Sequence, residues 1–230
     1  MFASHVAIAA AGMWPRSRLL GDNLVRLPAE DGSEPRVALT FDDGPDPEVT
    51  PRVLDLLDQA GARATFFCVG KRAAAHRPIV AEVVARGHRV ENHSFSHPNT
   101  FALLGPRRLG DEIDRTQEIL SAISGRRPAY FRAPAGIRSL WLAPLLARRG
   151  LALVSWTRRG FDAVDRDARR VSRRLLAGLA PRDILLLHDG SLLPNRARSA
   201  IVLEVLPRIL DALGAAGLAS VALPEEAPRA

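Results

Sequence analysis

Val37-Ala38-Leu39-Thr40-Phe41-Asp42-Asp43-Gly44-Pro45 is the stretch from which the rest of the chain can be read. Five residues of strand character run into two adjacent carboxylates, and Gly-Pro then breaks the backbone. Buried carboxylates are costly unless they are paired or bind a metal. On this stretch alone two readings stand. One is an exposed turn that caps the next helix. The other is a functional pair in which one acid holds a metal and the other moves a proton. Neighbouring strand residues point to opposite faces, which predicts different tasks for the two acids.

Outward from this stretch, strand and helix signals alternate. Strands are predicted at 37–41, 64–69, 88–92, 129–132, 151–156, 183–187 and 219–223, and helices at 50–60, 78–86, 107–123, 142–149, 168–179 and 199–216. Thr50-Pro51 opens the first helix, with Thr as N-cap and Pro at the first helical position, and Gly61 ends it. Residues 64–69 are continuously apolar, as expected of a strand buried on both faces. Leu109, Ile113, Thr116, Leu120 and Ile123 recur at helical spacing, and Pro207 is expected to bend the last helix. This β–α alternation argues a parallel sheet in one domain, either barrel-like or doubly wound. In both architectures chemistry sits at the carboxyl ends of the strands.

Composition narrows the function. The 230 residues are 47% hydrophobic and 25% charged, ordinary for a globular protein. The single cysteine, Cys68, lies in an apolar run and reads as a buried, inert thiol. The net charge of +7 is carried by scattered arginines, with Lys71 the only lysine and aromatics at 5%, so no nucleic-acid partner is expected. No uninterrupted apolar stretch is long enough for a complete transmembrane helix. The apolar run 6–14 has only His5 before it as a basic residue, unlike a secretory signal. It fits either a peripheral helix or the end of a membrane segment. Residues 1–35 are therefore read as an N-terminal extension, 36–224 as the domain and 225–230 as a tail.

The polar candidates all fall at predicted strand ends. Asp42 and Asp43 follow the first strand, and His93 and His97 the third. Arg132 ends the fourth, Asp162 follows the fifth past Trp156, and His188 follows the sixth. His93 and His97 are four apart and would project to one side of a helical turn. Two imidazoles and a carboxylate make a three-ligand site with an open position, as in catalytic zinc centres. His188 at a strand end suits proton transfer. Arg132 beside a catalytic carboxylate would orient it and favour its charged form.

Thr40–Pro45 (TFDDGP), His93–His97 (HSFSH), Arg132–Gly136 (RAPAG) and Leu186–Gly190 (LLHDG) together resemble the signature motifs of the polysaccharide deacetylases, the NodB-homology family. The motifs stand in the family's order, and the resemblance spans about 37–223. It implies a distorted (β/α) barrel, here of about seven parallel strands in a single domain, that removes acetyl groups from sugars with a divalent metal. By the same resemblance Asp42 is the general base and Asp43, His93 and His97 are the metal ligands. Arg132 orients the base, His188 is the general acid, and Asp162 orients the acid. Pro134, Gly136, Trp156 and Arg159 are expected at the substrate. The metal expected is Zn²⁺, with Co²⁺ or Ni²⁺ as substitutes.

One motif departs from the family. Where it has Asp-x-x-Asp-Trp, this chain has Arg159-Gly160-Phe161-Asp162-Ala163, so Arg159 replaces an acid and Ala163 an acetyl-pocket Trp. Arg158 and Arg159 would suit a substrate with phosphate or carboxylate. The expected activity is N-deacetylation of an amino sugar in a chito-oligosaccharide or peptidoglycan type of glycan. The alternatives are deacylation or deformylation of a lipid-linked or charged sugar, O-acetyl-xylan esterase activity, and an inactive sugar-binding module. A carbohydrate is the expected partner of a monomeric chain, with membrane association through the N-terminal segment. The expected location is the cell envelope or a membrane surface, with the cytoplasm left open.

Overall fold

The computed structural model describes residues 17, 19–29, 34–190 and 201–226. The apolar run at 6–14, His5 and the end of the tail lie outside them. The strands are β1 (Arg36–Asp42), β2 (Ala64–Cys68), β3 (Arg89–Asn92), β4 (Tyr130–Phe131), β5 (Ala152–Leu153), β6 (Arg158–Arg159), β7 (Ile184–His188) and β8 (Ala219–Val221). The helices are α1 (Thr50–Gln59), α2 (Gly70–Ala75), α3 (Arg77–Ala85), α4 (Pro106–Ser124), α5 (Leu142–Ala147), α6 (Ala168–Leu176) and α7 (Ile201–Ala215). No helix among the described residues is long and apolar enough to cross a membrane.

All strand pairs are parallel, in the order β5-β4-β3-β2-β1-β7-β6, with β8 against the first half of β1. This is the parallel sheet expected from the alternation, curled into a partial barrel, with the two-residue β6 as an addition. The helix α2 is also unexpected, because Gly-Lys-Arg-Ala-Ala-Ala is too short to show a period.

The pleat of β1 sorts its side chains between two cores. Val37, Leu39 and Phe41 join the cluster packed under α1, α3, α6 and α7. Ala38 points the other way, into an interior column with Phe67, Tyr130, Val154, Trp156, Ile184 and Leu186. Thr40 and Asp42 continue that inward face. Apolar surface buried on the helix side, at roughly 25 cal/mol per Å², holds the layers together, while the inner column leads upward to polar groups.

The sheet edges β5 and β6 do not pair with each other. Residues 24–27, which the sequence reading places in the extension, bridge this seam. Leu24 exchanges backbone hydrogen bonds with the β5 end, donating to Leu153 O at 2.8 Å and accepting from Ser155 N at 2.9 Å. Leu27 N donates to Arg182 O at 2.9 Å, and Arg26 pairs with the fully buried Asp183 at 3.1 Å. Leu27 is 1% exposed and packs in the interior column. Leu27→Ala is expected to cost about 2–5 kcal/mol of unfolding free energy, as other buried leucines do. A urea midpoint equal to that of the parent would show that the seam closes without it.

Candidate active site

Four strand ends meet above the inner column. Asp42 is the last residue of β1. Its Oδ1 accepts from Arg132 Nη1 at 2.7 Å, while Oδ2 lies 3.7 Å from His93 Nε2. Strand alternation would send Asp43 to the opposite face, but Asp43 has a left-handed φ of 74°. That turn swings its carboxylate back toward the same histidine, with Oδ1 3.4 Å from both His93 Nε2 and His97 Nε2. The two acids therefore share one site while making different contacts in it.

The two histidines are not on a helical turn, contrary to the expectation from their spacing. Residues 93–97 form a loop, with left-handed φ at Ser94 (63°) and His97 (49°). Local hydrogen bonds stand in for the helix. Asn92 Oδ1 accepts from Ser94 N, and Ser94 Oγ accepts from His97 N. Glu112 on α4 accepts from the backbone of Phe95 and Ser96 and from the Ser96 hydroxyl. The first turn of α2 donates Gly70 N to Ser94 O and Lys71 N to Phe95 O. Arg115 stacks on Phe95, 3.6 Å from the ring centroid.

Within this frame the ligand atoms are oriented. His93 Nδ1 sits 2.9 Å from Arg132 O. A carbonyl only accepts, so Nδ1 carries the proton and a neutral His93 presents a bare Nε2. Asp43 Oδ1 is buried with no hydrogen-bond partner among the described residues. One atom each from Asp43, His93 and His97 lie within 4.8 Å of one another. Burial would raise the Asp43 pKa, but His93, His188 and His97 hold it well below the usual carboxylate range. Burial and the neighbouring His93 push His97 down to about 4. Burial opposes charge on His93 too, yet Asp42 and Asp43 raise its pKa. An ionised carboxylate, an uncharged imidazole and a second imidazole competing for one proton fit a divalent cation.

Across the β1–β7 register Asp42 lies opposite His188. Asp162 grips His188 twice, with Oδ1 2.9 Å from the ring Nδ1 and Oδ2 accepting from the backbone N–H at 2.7 Å. Burial disfavours the charged ring, but Asp162, aided by Asp43 and Asp42, raises its pKa from 6.5 to about 9. His188 is thus held as imidazolium with Nε2 as its remaining donor.

The expected substrate positions divide. Pro134 and Gly136 are buried in a short 3₁₀ turn, and Trp156 is 8% exposed. Gly136 has φ of 73°, and a Cβ there would collide with the Trp156 ring, so the two form one wall of the site. Arg132 lies over Phe67 and Trp156. Arg159 stacks on Trp156, 5.2 Å from its ring centroid.

Several contributors are absent from the sequence reading. Thr50 is the first residue of α1 rather than its N-cap. Its hydroxyl donates to the buried Asp189 at 2.6 Å, while Asp46 Oδ1 takes the Val49 N–H. Burial pushes Asp189 up to about 7, although the Thr50 hydroxyl favours its charged form. Arg72 Nη1 donates to Asp43 O at 2.8 Å, and Gly190 leaves room for that turn, because a Cβ there would strike the Asp43 backbone. Asp189 and Gly190 stand in the quoted His-Asp-Gly motif. Glu112 and Arg72 carry no local signal.

The family model described as polysaccharide deacetylase matches residues 29–154. A chitooligosaccharide deacetylase of Bradyrhizobium sp. is 39% identical over 155 residues, covering 67% of this chain and 70% of the relative. A peptidoglycan-N-acetylglucosamine deacetylase of Bacillus cereus is 32% identical over 188 residues, covering 82% of this chain and 66% of the relative. Among solved structures, a peptidoglycan N-acetylglucosamine deacetylase bound to a benzamide compound superposes with a TM-score of 0.79 at 29% identity, covering 90% of this chain and 94% of that one.

Asp162→Asn is expected to bring the His188 pKa from about 9 down toward its ordinary value of 6.5, read by NMR titration of the imidazole in metal-free protein. A folded pKa raised in this way adds stability that is complete below the unfolded value and is lost as pH rises through about 9. The variant should lose that increment below the unfolded pKa. An unchanged titration would show that Asp162 does not hold the proton.

Proposed function

The chain belongs to the polysaccharide deacetylase family, and we propose that it hydrolyses the N-acetyl group of an amino sugar in a chito-oligosaccharide or peptidoglycan type of glycan. The observation that carries the proposal is the unpartnered Asp43 Oδ1 facing two imidazole Nε2 atoms beside an Arg-held carboxylate. The curated relatives named above supply the substrate class.

Asp43, His93 and His97 would hold the divalent metal, and two imidazoles with a carboxylate suit zinc best. When bound, the ion acts as a Lewis acid toward the acyl oxygen and makes water more acidic. The protein's own groups handle the protons. Asp42 keeps Oδ1 on Arg132 and turns Oδ2 toward the ligand cluster, so Oδ2 is the oxygen that takes the proton of the attacking water. Arg132, with no exposure, holds that carboxylate in place. The amine is a poor leaving group until it is protonated. His188, with Nδ1 on Asp162, gives its Nε2 proton to the departing nitrogen. Trp156 and Gly136 bound the space beside the acyl carbon.

The same reading places the activity at the cell envelope, where peptidoglycan lies, and treats 36–224 as the deacetylase domain, with residues 24–27 closing it.

Three measurements test this. Chelation should abolish acetate release from N-acetylglucosamine oligomers, and Zn²⁺ should restore it. Asp42→Asn and His188→Ala should each cut kcat by about 10²–10⁴-fold with metal content retained, whereas His93→Ala/His97→Ala should lose the metal. Activity should fall at high pH as His188 loses its proton. Near-full turnover by Asp42→Asn would reverse the roles of the two aspartates.

A further inference from the structure

We propose that Arg159 is the anion-binding residue of the substrate site, receiving a carboxylate or phosphate carried by the glycan beside the sugar that is deacetylated. The proposal rests on the deacetylase reading and concerns which glycan that site selects.

Four observations carry it. First, placement: Arg159 on β6 registers with Leu186 on β7. Leu186 faces the inner column, and His188, two residues further along the same strand, shares its face. Arg159 therefore rises on the side of the sheet that carries the proton donor. Second, rigidity: the guanidinium is held between two rings, 5.2 Å from the Trp156 centroid and 4.8 Å from that of Phe161. Trp156 is in turn locked against Gly136. An Arg stacked in this way keeps its edge donors fixed and loses little freedom when an oxyanion arrives.

Third, the missing partner. Four neighbouring arginines are engaged. Arg132 is on Asp42, Arg158 on Asp183 and on the Ala177 and Gly178 carbonyls, and Arg170 and Arg174 are on Asp165. Arg159 makes no hydrogen bond or ion pair with any described residue, and its Nε is buried without an acceptor. With no acidic side chain of the described residues on it, the guanidinium's charge is left for an external anion to neutralise. The terminal Nη atoms of a guanidinium can give a carboxylate or phosphate two parallel hydrogen bonds.

Fourth, the surroundings. Phe161, 44% exposed, stacks on Arg159 and also lines a cleft of about 600 Å³ with Val164, Asp165, Arg166, Arg170 and Arg174. Three cations against one carboxylate leave that cleft positive, which draws an anionic glycan toward this end of the site. Arg158, the other arginine of the pair in sequence, is spent on the fold, so the two positions separate cleanly.

The test compares zinc-loaded parent, Arg159→Gln and Arg159→Lys on matched glycans. These are neutral N-acetylglucosamine oligomers, a peptidoglycan oligomer with free N-acetylmuramic carboxylates, the same oligomer with those carboxylates methyl-esterified, and an N-acetylglucosamine oligomer bearing a phosphate monoester. The parent should favour at least one anionic glycan over its neutral counterpart by tenfold or more in kcat/KM, through KM. Arg159→Gln should erase that preference, and Arg159→Lys should keep part of it. Whether the carboxylate or the phosphate arm responds identifies the source of the anion. Affinities of the same glycans, measured calorimetrically on zinc-loaded Asp42→Asn with and without Arg159→Gln, give a readout independent of turnover. Anion preference in binding without turnover on any glycan by the parent would sink the deacetylase reading and leave Arg159 standing. Equal handling of charged and neutral glycans by the parent, or a preference that survives Arg159→Gln, would overturn the proposal.

Discussion

Everything at the top of the barrel depends on one buried guanidinium. Arg132 has no solvent exposure, and burying a charge that deeply is tolerated only when each donor finds a partner. Its partners come from three directions: Asp42 and Thr40 on β1, Ser155 O after β5, and Val154 O. Its flat face lies 4.1 Å over Phe67 of β2. The same residue's carbonyl fixes the His93 ring. One side chain and its backbone thus fix Asp42, the His93 ring and the spacing of the strands between them. Removing one member of such a pair typically costs about 3–5 kcal/mol, because the other charge is left buried and alone.

The charges around Arg132 are arranged so that few protons serve many acids and bases. Asp43 stays ionised, His97 stays neutral, and Asp42 and Asp43 favour a proton on His93. A cation bound there would replace that proton, so metal affinity should rise with pH. On the other side of Asp42, Asp162 keeps His188 charged. Asp42 and His188 are thus each held by a buried partner of opposite sign, Arg132 and Asp162.

Much of this is legible in the sequence because it is local. The apolar run into Asp42-Asp43-Gly44-Pro45 marks a strand end, and repeated Gly and Pro signals mark the helices, so β–α alternation and the common rim follow. What fails is what depends on backbone handedness or distant contact. The left-handed turns at Asp43, Ser94 and His97 occur at residues with no glycine to announce them, and so strand alternation and helical spacing both mislead about where those side chains point. The hold of Glu112 on the His loop spans a whole connection. Residues 24–27 look like part of an irregular leader, because pairing at a sheet seam needs only backbone groups. β6 is two arginines long, and its strand character comes entirely from its neighbour β7.

The division of labour between the two aspartates is the central claim, and it can be seen directly. Crystals soaked in a zinc salt and measured on both sides of the zinc absorption edge would locate the ion by anomalous difference density. One ion is expected in contact with Asp43, His93 Nε2 and His97 Nε2, with Asp42 still hydrogen-bonded to Arg132 and outside the ion's first coordination shell. An ion bound by Asp42, or one that leaves His97 out, would contradict it.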